Sequence, residues 1–267
     1  MFEQYRKLRQ GPRYEKCRLW GIAIGLQAVD RLEVSGFLVD AACRHIEGEI
    51  TMQEVLHLVD DHYGALGEGD EPDRQEEADK VASRISALLA EDAAAFTPET
   101  LRGIHERLFR GLYDHAGTWR QSAIAKGEWV LGGESVGYTH PSLIRPTLEY
   151  DFNREAQFRY SGLSRRETAL HAAEFISGIW QIHPFREGNT RTTAVFCIQY
   201  LRHLGFQVDN APFELHSWYF RNALVRANYS NPARHAAATK EYLNRFFENM
   251  LLNGSHELRN DDLLLAD

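Results

Sequence analysis

The segment HPFREGNTRTT, residues 183–193, lies between two apolar stretches that both have helical periodicity. In the stretch before it, the capping-box pair Ser164 and Glu167 predicts a helix start, and the apolar positions then continue to Trp180. In the stretch after it, apolar residues continue until Gly205. The sequence therefore predicts a helix–loop–helix unit in which this loop immediately precedes the second helix.

The residue types in this loop suit the binding of a phosphate group. Free N–H groups and the positive end of the helix dipole attract anions, and Gly188 allows the backbone to approach them closely. Asn189 and Arg191 can donate to phosphate oxygens, while Glu187 offers the hard oxygen ligand that Mg²⁺ shares with phosphates. His183 can act as a general base because its ordinary pKa is near neutrality. The loop is therefore a candidate catalytic site for a phosphate compound.

Two other interpretations of the loop remain open from residue types alone. Gly and Asn often serve only as helix caps, and His183 with Glu187 could be two ligands of a zinc site. No further histidine or cysteine is spaced to complete such a site.

The order of the loop residues resembles the Fic family motif, H-P-F-x-[D/E]-G-N-G-R-x-x-R. The matching positions are His183, Pro184, Phe185, Glu187, Gly188, Asn189 and Arg191. The resemblance extends over most of residues 75–250. It implies an all-α Fic-type domain with a small β-hairpin flap, acting as a protein adenylyltransferase. Such an enzyme transfers AMP from ATP to a Ser, Thr or Tyr hydroxyl of a target protein.

The resemblance also implies a role for each residue of the loop. His183 would deprotonate the target hydroxyl, and Glu187 would hold Mg²⁺ between the α- and β-phosphates. The nucleotide-binding positions would be Phe185, Gly188, Asn189, Thr190 and Arg191, with Phe185 anchoring the loop. ATP is thus the implied co-substrate and Mg²⁺ the implied cofactor. The adenine pocket is expected on the helices after the motif, where the candidates are Asn222, Asn228 and Tyr229.

Residues 126–138 are the implied flap. Apolar residues on both sides of Gly132 and Gly133 predict a short β-hairpin, whose edge could pair with an extended segment of the target protein. The expected docking residues are Lys126, Gly127, Glu128, Trp129 and Val130. A plain surface connection is the alternative interpretation of the same segment.

Two positions depart from the family motif. Thr190 stands where a third loop glycine is usual, and Ala194 stands where the second arginine is usual. A Doc-like phosphotransferase, the transfer of another nucleoside monophosphate, and a catalytically silent Fic-fold binding module are therefore alternatives to AMP transfer. The retained base and metal ligand, His183 and Glu187, argue against the silent module.

Residues 18–63 resemble the small three-helix VbhA-type antitoxins that accompany or are fused to Fic proteins. Their predicted helices cover 18–32, then from Ser35 to near Gly48, and from the capping box of Thr51 and Glu54 to Gly64. In such antitoxins a glutamate pairs with the second motif arginine, and here Asp30 stands at that position while Ala194 replaces the partner. We therefore expect a structural cap with a degenerate inhibitory helix, whose inhibition is weakened or altered.

The expected domains are an antitoxin-like cap over 1–65, a Fic domain over 66–252 and a C-terminal tail over 253–267. Residues 60–79 hold nine acidic residues and one basic residue, so they carry the whole net charge of −8. The best linker candidate is residues 64–72, which contain glycine and proline. The rest of the chain is balanced, with 29 basic and 29 acidic residues. This balance disfavours the wide basic face that nucleic acid requires.

The expected compartment follows from the cysteines and from the apolar segments. Cys17, Cys43 and Cys197 form no closely spaced pair, so neither a disulfide framework nor a thiolate zinc site is indicated. The N-terminus lacks the apolar run of a signal peptide, and no segment has the ~18 consecutive apolar residues of a membrane span. We therefore expect a cytoplasmic protein that contacts neither membranes nor nucleic acid directly. The resemblance to VbhA-type antitoxins implies in addition a toxin–antitoxin relationship.

Overall fold

The computed structural model describes residues 2–7, 10–65, 74–93, 95–209 and 211–265, apart from the side chains of Glu3 and Arg6. The α-helices are α1 (Glu3–Arg6), α2 (Pro12–Gly25), α3 (Gly36–Glu47), α4 (Met52–Gly64), α5 (Arg74–Leu89), α6 (Pro98–Phe109), α7 (Ile144–Gln157), α8 (Arg165–Ile182), α9 (Asn189–His203), α10 (Ala211–Ala227) and α11 (Glu241–Leu251). Short 3₁₀ helices lie at Leu26–Asp30, Trp129–Leu131, Pro141–Leu143, Pro232–Arg234 and Asn260–Leu263. These ranges contain no β-strand, so the predicted all-α class is confirmed. In the same ranges, no helix combines the length and apolar character that a membrane span requires.

Side-chain caps fix the starts of several helices where the sequence predicted them. Ser164 opens α8 and Thr51 opens α4, each in a complete capping box with the glutamate three residues later. Ser35 caps α3 as predicted, and Thr97 followed by Pro98 opens α6 with a further side-chain cap. Each such cap contributes about 1 kcal/mol, because it satisfies N–H groups that a helix start leaves without partners.

The predicted helix over residues 18–32 is divided in the structure. The α-helix α2 ends at Gly25, and Leu26–Asp30 continue as a 3₁₀ turn that stops at Arg31, a residue with a φ of 55°. Glycine is required at the end of α2, since a Cβ atom there would lie 2.6 Å from the backbone oxygen of Glu214 in α10. This close approach of α2 to α10 places the 3₁₀ turn beside α9.

One apolar core runs through the N-terminal helices and the helices that flank the motif loop. Trp20 of α2 and Trp180 of α8 are both completely buried in it. Asp79 of α5 is also buried, and it accepts hydrogen bonds from the Ser35 N–H and the Tyr63 hydroxyl, both at 2.8 Å. These contacts tie α3 and α4 to α5, so the N-terminal helices are an integral part of the described fold.

The predicted linker and the predicted first domain boundary fall on or next to residues 66–73, which lie outside the described residues. The expected three-part division therefore stays a prediction.

In the C-terminal tail, Leu263 is buried, and the Leu265 N–H donates to the Val130 carbonyl at 2.9 Å. The tail thus packs against the segment that the sequence predicted as the flap.

The flap, residues 126–138, differs from the β-hairpin that the sequence predicted. Trp129–Leu131 form a 3₁₀ turn, and the chain then folds back so that the Glu128 N–H donates to the Glu134 carbonyl at 2.9 Å. Burial explains the difference, because the last two residues of the turn are both completely buried. Successive residues of a hairpin strand would instead point to opposite faces.

Candidate active site

The loop between α8 and α9 is held in place by His105 of α6. Its Nδ1 accepts the Gly117 N–H at 2.9 Å, so its Nε2–H donates to the Glu187 carbonyl oxygen at 3.1 Å. The imidazole also stacks on Phe185 of the loop, with ring centroids 3.7 Å apart. Burial lowers the pKa of His105 to about 3, so the ring stays neutral at physiological pH and keeps one tautomer. Phe185 is therefore an anchor of the loop rather than a group open to a ligand.

Arg120 holds the other end of the loop. Its Nε–H donates to the His183 carbonyl at 2.7 Å, and its backbone N–H donates to the Pro184 carbonyl at 2.9 Å. His183 follows α8 with a left-handed backbone, φ 51° and ψ 58°, which is uncommon for a residue other than glycine. The two bonds from Arg120 stabilise this conformation, a function that the sequence pattern did not reveal.

The His183 imidazole is buried, with 3% of the residue exposed. Its Nδ1 lies 3.2 Å from the Trp180 carbonyl oxygen. Burial lowers the pKa of His183 well below the usual histidine value, and the positive charges of Lys126 and Arg221 add to the shift. His183 is therefore a neutral imidazole at physiological pH, the form that accepts a proton.

The side chains of Asn189 and Thr190 build the loop instead of facing a ligand. The Asn189 Oδ1 accepts the Phe185 N–H at 2.9 Å, and its Nδ2 donates to the Phe185 carbonyl at 2.8 Å. The Thr190 hydroxyl accepts the Trp180 indole N–H at 3.0 Å. The anion-binding capacity of the loop therefore rests on the backbone N–H groups at the start of α9.

Gly188 is required by the space around the loop. Its φ of 73° lies in the left-handed region, and an added Cβ atom would lie 2.3 Å from the Phe109 ring. Phe109 is itself fixed beneath Arg191, whose guanidinium carbon lies 5.0 Å from the ring centroid. No larger residue fits at this position without moving that ring.

Arg191 is buried among acceptors that lie outside the motif. The Asp30 Oδ2 lies 2.8 Å from its Nε, the Glu77 carboxylate accepts from its Nη2, and the Gln27 Oε1 lies 3.3 Å from its Nη1. Burial would lower the pKa of Arg191, but the two carboxylates outweigh it and raise this pKa, so the positive charge is retained. We name Gln27, Asp30 and Glu77 the Arg191 clamp. The clamp pairs with the Arg191 guanidinium, for which the family resemblance implies a phosphate as partner.

Asp30 thus has a partner that the sequence did not predict. Ala194, which replaces the second motif arginine, is completely buried. Residues 191 and 194 lie three positions apart on α9, so they share one face of the helix. Asp30 therefore pairs with the first motif arginine, on the helix face that Ala194 shares.

Glu187 is half exposed and forms an ion pair with Lys126 of the flap, at 2.7 Å between Oε2 and Nζ. In the part of the chain that the structure describes, no group of three or more His, Cys, Asp or Glu side chains could bind a metal. Mg²⁺ commonly takes one or two carboxylates and completes its shell with phosphates and water. The single carboxylate therefore fits Mg²⁺ that arrives with a nucleotide, whereas the zinc alternative lacks its further protein ligands in the described ranges.

Part of the chain that carries this site matches a known protein family. The Fic/DOC family matches residues 95–201, which include α6, α7, α8 and most of α9. This part of the chain matches the Fic domain. It contains His183, Glu187 and Arg191, whereas Asp30 and Glu77 of the clamp lie before it.

The Fic domain has curated relatives that are named protein adenylyltransferases. VbhT of Bartonella schoenbuchensis is 28% identical over 154 residues, which cover 58% of this chain and 30% of VbhT. The probable protein adenylyltransferase y4lH of Sinorhizobium fredii is 30% identical over 127 residues, which cover 47% of this chain and 62% of that protein. The chain thus spans less than two thirds of the length of either relative.

Solved Fic structures from Bartonella share the fold. The N-terminal Fic domain of a Bep effector from Bartonella quintana has a TM-score of 0.52 at 24% identity, and the match covers 66% of this chain and 80% of that one. BepC from Bartonella tribocorum, solved with bound AMPPNP, has a TM-score of 0.50 at 20% identity, covering 67% of this chain and 87% of that one. At these identities the matches establish the fold alone.

A cavity of about 510 Å³ opens between the end of the turn Leu26–Asp30, the flap and α10. Trp129 and Trp218 line it together with Arg31 and Arg221. The guanidinium carbons of the two arginines lie 5.0 and 5.2 Å from the Trp218 ring centroid. The cavity has the volume of a small-molecule site, and its walls offer stacking surfaces and positive charge.

The three residues expected in the adenine pocket are not among those that line this cavity. Each is hydrogen-bonded to another side chain: Asn222 to Asn260, Asn228 to Ser177 and Tyr229 to Glu134. Helix α10 presents Trp218 and Arg221 to the cavity instead, because residues three apart share a helix face.

The flap side chains expected to dock a target have different surroundings. Glu128 and Val130 are completely buried, Lys126 forms the ion pair described above, Gly127 lines the cavity, and Trp129 is 40% exposed. The two buried residues hold this segment against the core, and its docking role stays a prediction.

Proposed function

We propose that this chain is a protein adenylyltransferase that transfers AMP from ATP to a Ser, Thr or Tyr hydroxyl of a target protein. The observation that carries the proposal is the neutral, buried His183 beside the N-terminus of α9, on the same loop as Glu187. The names of the curated relatives and the AMPPNP bound by BepC support it.

In the proposed reaction His183 accepts the hydroxyl proton through Nε2, because its Nδ1 faces the Trp180 carbonyl. The hydroxyl oxygen forms a bond to the α-phosphorus, and the bond from that phosphorus to the leaving pyrophosphate oxygen breaks. The N–H groups and the positive end of α9 stabilise charge on the phosphoryl oxygens. Mg²⁺, held by Glu187, would neutralise negative charge on the phosphates.

Two ion pairs must open before a nucleotide can use this site fully. Lys126 has to leave Glu187 before the carboxylate can hold a metal, and the Arg191 clamp has to release before the guanidinium can reach a phosphate. We therefore propose that the N-terminal helices inhibit the enzyme through the clamp, an altered form of the inhibition in VbhA-type antitoxins.

AMP transfer fits the loop better than the alternatives do. The Thr190 hydroxyl bonds to Trp180, so the residue that replaces the third glycine supports the loop from within. Glu187 and Gly188 also match the AMP-transferring pattern of the family motif. Doc-like phosphoryl transfer, transfer of another nucleoside monophosphate and a silent binding module remain as outcomes of the test.

The test of the proposed function uses ATP labelled on either the α- or the γ-phosphate, together with the protein and a cell lysate. AMP transfer predicts protein-bound label from the α position only. Label from the γ position only would instead indicate a Doc-like phosphotransferase, and label from a different α-labelled nucleotide alone would indicate another donor. No label from any donor, with folded wild-type protein and with the folded clamp variant Asp30→Asn, Glu77→Gln, would contradict an enzyme and favour the binding module.

We also propose that the target protein docks on the flap. The flap adjoins the base, since the Tyr138 ring of the flap stacks on His183 with centroids 4.1 Å apart. Trp129 offers an exposed aromatic contact on the same segment. Docking through this side chain replaces the main-chain pairing that a hairpin edge would have provided.

Lys126→Met is expected to change the pH dependence of AMP transfer. Lys126 raises the energy of the His183 imidazolium, so its removal raises the pKa of His183 and moves the acidic limb of the kcat/KM profile to higher pH. In the unchanged protein this limb should lie below the ordinary histidine pKa of about 6.5. The profile of Lys240→Met, a lysine paired with Glu174 on the surface, serves as the control. A limb that stays in place or moves to lower pH in Lys126→Met would contradict the assigned repulsion.

A further inference from the structure

The His183 ring is enclosed by two aromatic side chains. Tyr138 of the flap stacks on it with ring centroids 4.1 Å apart and planes 30° apart. Trp180 of α8 meets it nearly at right angles, with centroids 5.2 Å apart and planes 89° apart. The ring is therefore restrained both in its plane and in its rotation.

The contact of Nδ1 with a carbonyl oxygen selects one tautomer of His183. At 3.2 Å from the Trp180 oxygen, an Nδ1–H donates a hydrogen bond, whereas an Nδ1 lone pair would face the oxygen's own lone pairs. The basic nitrogen of the neutral ring is then Nε2. Rotation of the ring about its Cβ–Cγ bond would break this contact and release the tautomer.

Tyr138 is itself held by a buried charge pair. Its hydroxyl donates to the Glu128 Oε1 at 3.2 Å. Glu128 is completely buried, and both of its oxygens accept from Arg221 of α10, one of them at 3.1 Å. A buried carboxylate that loses its partner is costly, so Glu128 and Arg221 stay paired and give Tyr138 a rigid support.

We propose that Tyr138 is the positioning residue of His183: its ring holds the imidazole against the Trp180 carbonyl and thereby keeps Nε2 as the proton acceptor. The effect of Tyr138 on kcat rests on the proposed function, whereas its effect on the tautomer of His183 does not. A purely space-filling role for Tyr138 would lower stability on substitution but leave the tautomer unchanged.

Tyr138 is an uncharged neighbour of His183, whereas several other groups near the imidazole carry charge. Lys126 of the flap, Arg120 and Arg221 all place positive charge near the imidazole, and Glu128 compensates Arg221 directly. Burial raises the pKa of Tyr138 above its ordinary value, so the phenol stays uncharged and keeps its hydrogen for Glu128. Tyr138 therefore acts on His183 through contact and not through charge.

The test compares Tyr138→Leu and Tyr138→Phe in the full chain by nitrogen-15 NMR of the histidine side chains, with the His183 signals identified by their loss in His183→Ala. The wild-type protein and Tyr138→Phe should show the Nδ1–H tautomer, while Tyr138→Leu should show a mixture. For AMP transfer, kcat of Tyr138→Leu should fall about 100-fold with KM for ATP unchanged, as expected for a misplaced base. Tyr150→Leu, an exposed tyrosine of α7, is the matched control and should change neither quantity.

An unchanged tautomer together with an unchanged kcat in Tyr138→Leu would overturn the inference. Tyr138→Met retains more of the side-chain volume without the aromatic face, and it replaces the leucine variant if that variant fails to fold. If neither the wild-type protein nor the clamp variant Asp30→Asn, Glu77→Gln transfers label from ATP, the proposed function fails while the tautomer measurement still decides the role of Tyr138.

Discussion

His183→Ala is expected to lower kcat for AMP transfer by about 10²–10⁴-fold, the contribution of a well-placed general base. The loss should fall on kcat and leave the affinity for ATP nearly unchanged, because the anion-binding N–H groups belong to α9 and not to the imidazole. Since Arg120 holds the loop through the His183 carbonyl, which alanine retains, the backbone of the site should persist.

The measurement is single-turnover transfer of label from α-labelled ATP, together with calorimetric titration of Mg-ATP into each protein. His140→Ala is the matched control, because His140 is exposed and its ring bonds to Ser142 two residues away. A His183→Ala protein that transfers AMP at the wild-type rate would remove the base from the mechanism. Loss of ATP binding in the same variant would show that His183 supports the loop rather than the chemistry.

The double variant Asp30→Asn, Glu77→Gln is expected to bind ATP about 10–100-fold more tightly than the wild-type protein, since it raises the fraction of molecules with Arg191 free. The amides retain the shape of the clamp but lose the charges that hold the guanidinium. In the absence of nucleotide the same variant should have a lower Tm, because Arg191 stays buried with its charge uncompensated. Bound ATP should restore much of that loss, since ligand binding to the folded state stabilises it.

Calorimetry with Mg-ATP and thermal unfolding with and without nucleotide measure both effects on the full chain. Asp40→Asn, at an exposed acid of α3, controls for the change in net charge of the N-terminal helices. A lowered Tm with unchanged ATP affinity would mean that the clamp is a structural ion-pair cluster and does not inhibit.

Point variants are preferable to removal of the N-terminal helices. Trp20, Leu26 and Leu38 are completely buried in the shared core, so a truncated chain would expose a large apolar surface. Activation or loss of activity on truncation would then mix release of the clamp with damage to the fold.

Local signals predicted the helix starts because the interactions that form them are local. The capping bonds of Ser164 and Thr51 join residues three positions apart. Such contacts can be inferred from residue types and spacing, as can the position of the loop before α9. The bonds of Asn189 to Phe185 were not predicted, since residue types alone suggested Asn189 as a phosphate donor.

The flap shows where local reasoning fails. Gly132 and Gly133 indicated a hairpin, but the segment forms a 3₁₀ turn in which Val130 and Leu131 are buried against the core and the C-terminal tail bonds to Val130. This outcome depends on which face of an element the rest of the fold covers. The adenine pocket expected around Asn222, Asn228 and Tyr229 stays a prediction.

By itself the sequence determined the all-α class, the capped helices and a loop that carries a histidine and a carboxylate before a helix N-terminus, since these follow from residue order over a few positions. Only the tertiary structure decided which charges meet at that loop. Lys126 lies far from Glu187 in the chain, and Asp30 and Glu77 lie farther still from Arg191. Their pairing depends on the approach of α2 to α10 and on the folding back of the flap, so the partners of a buried charge are set by packing and not by spacing.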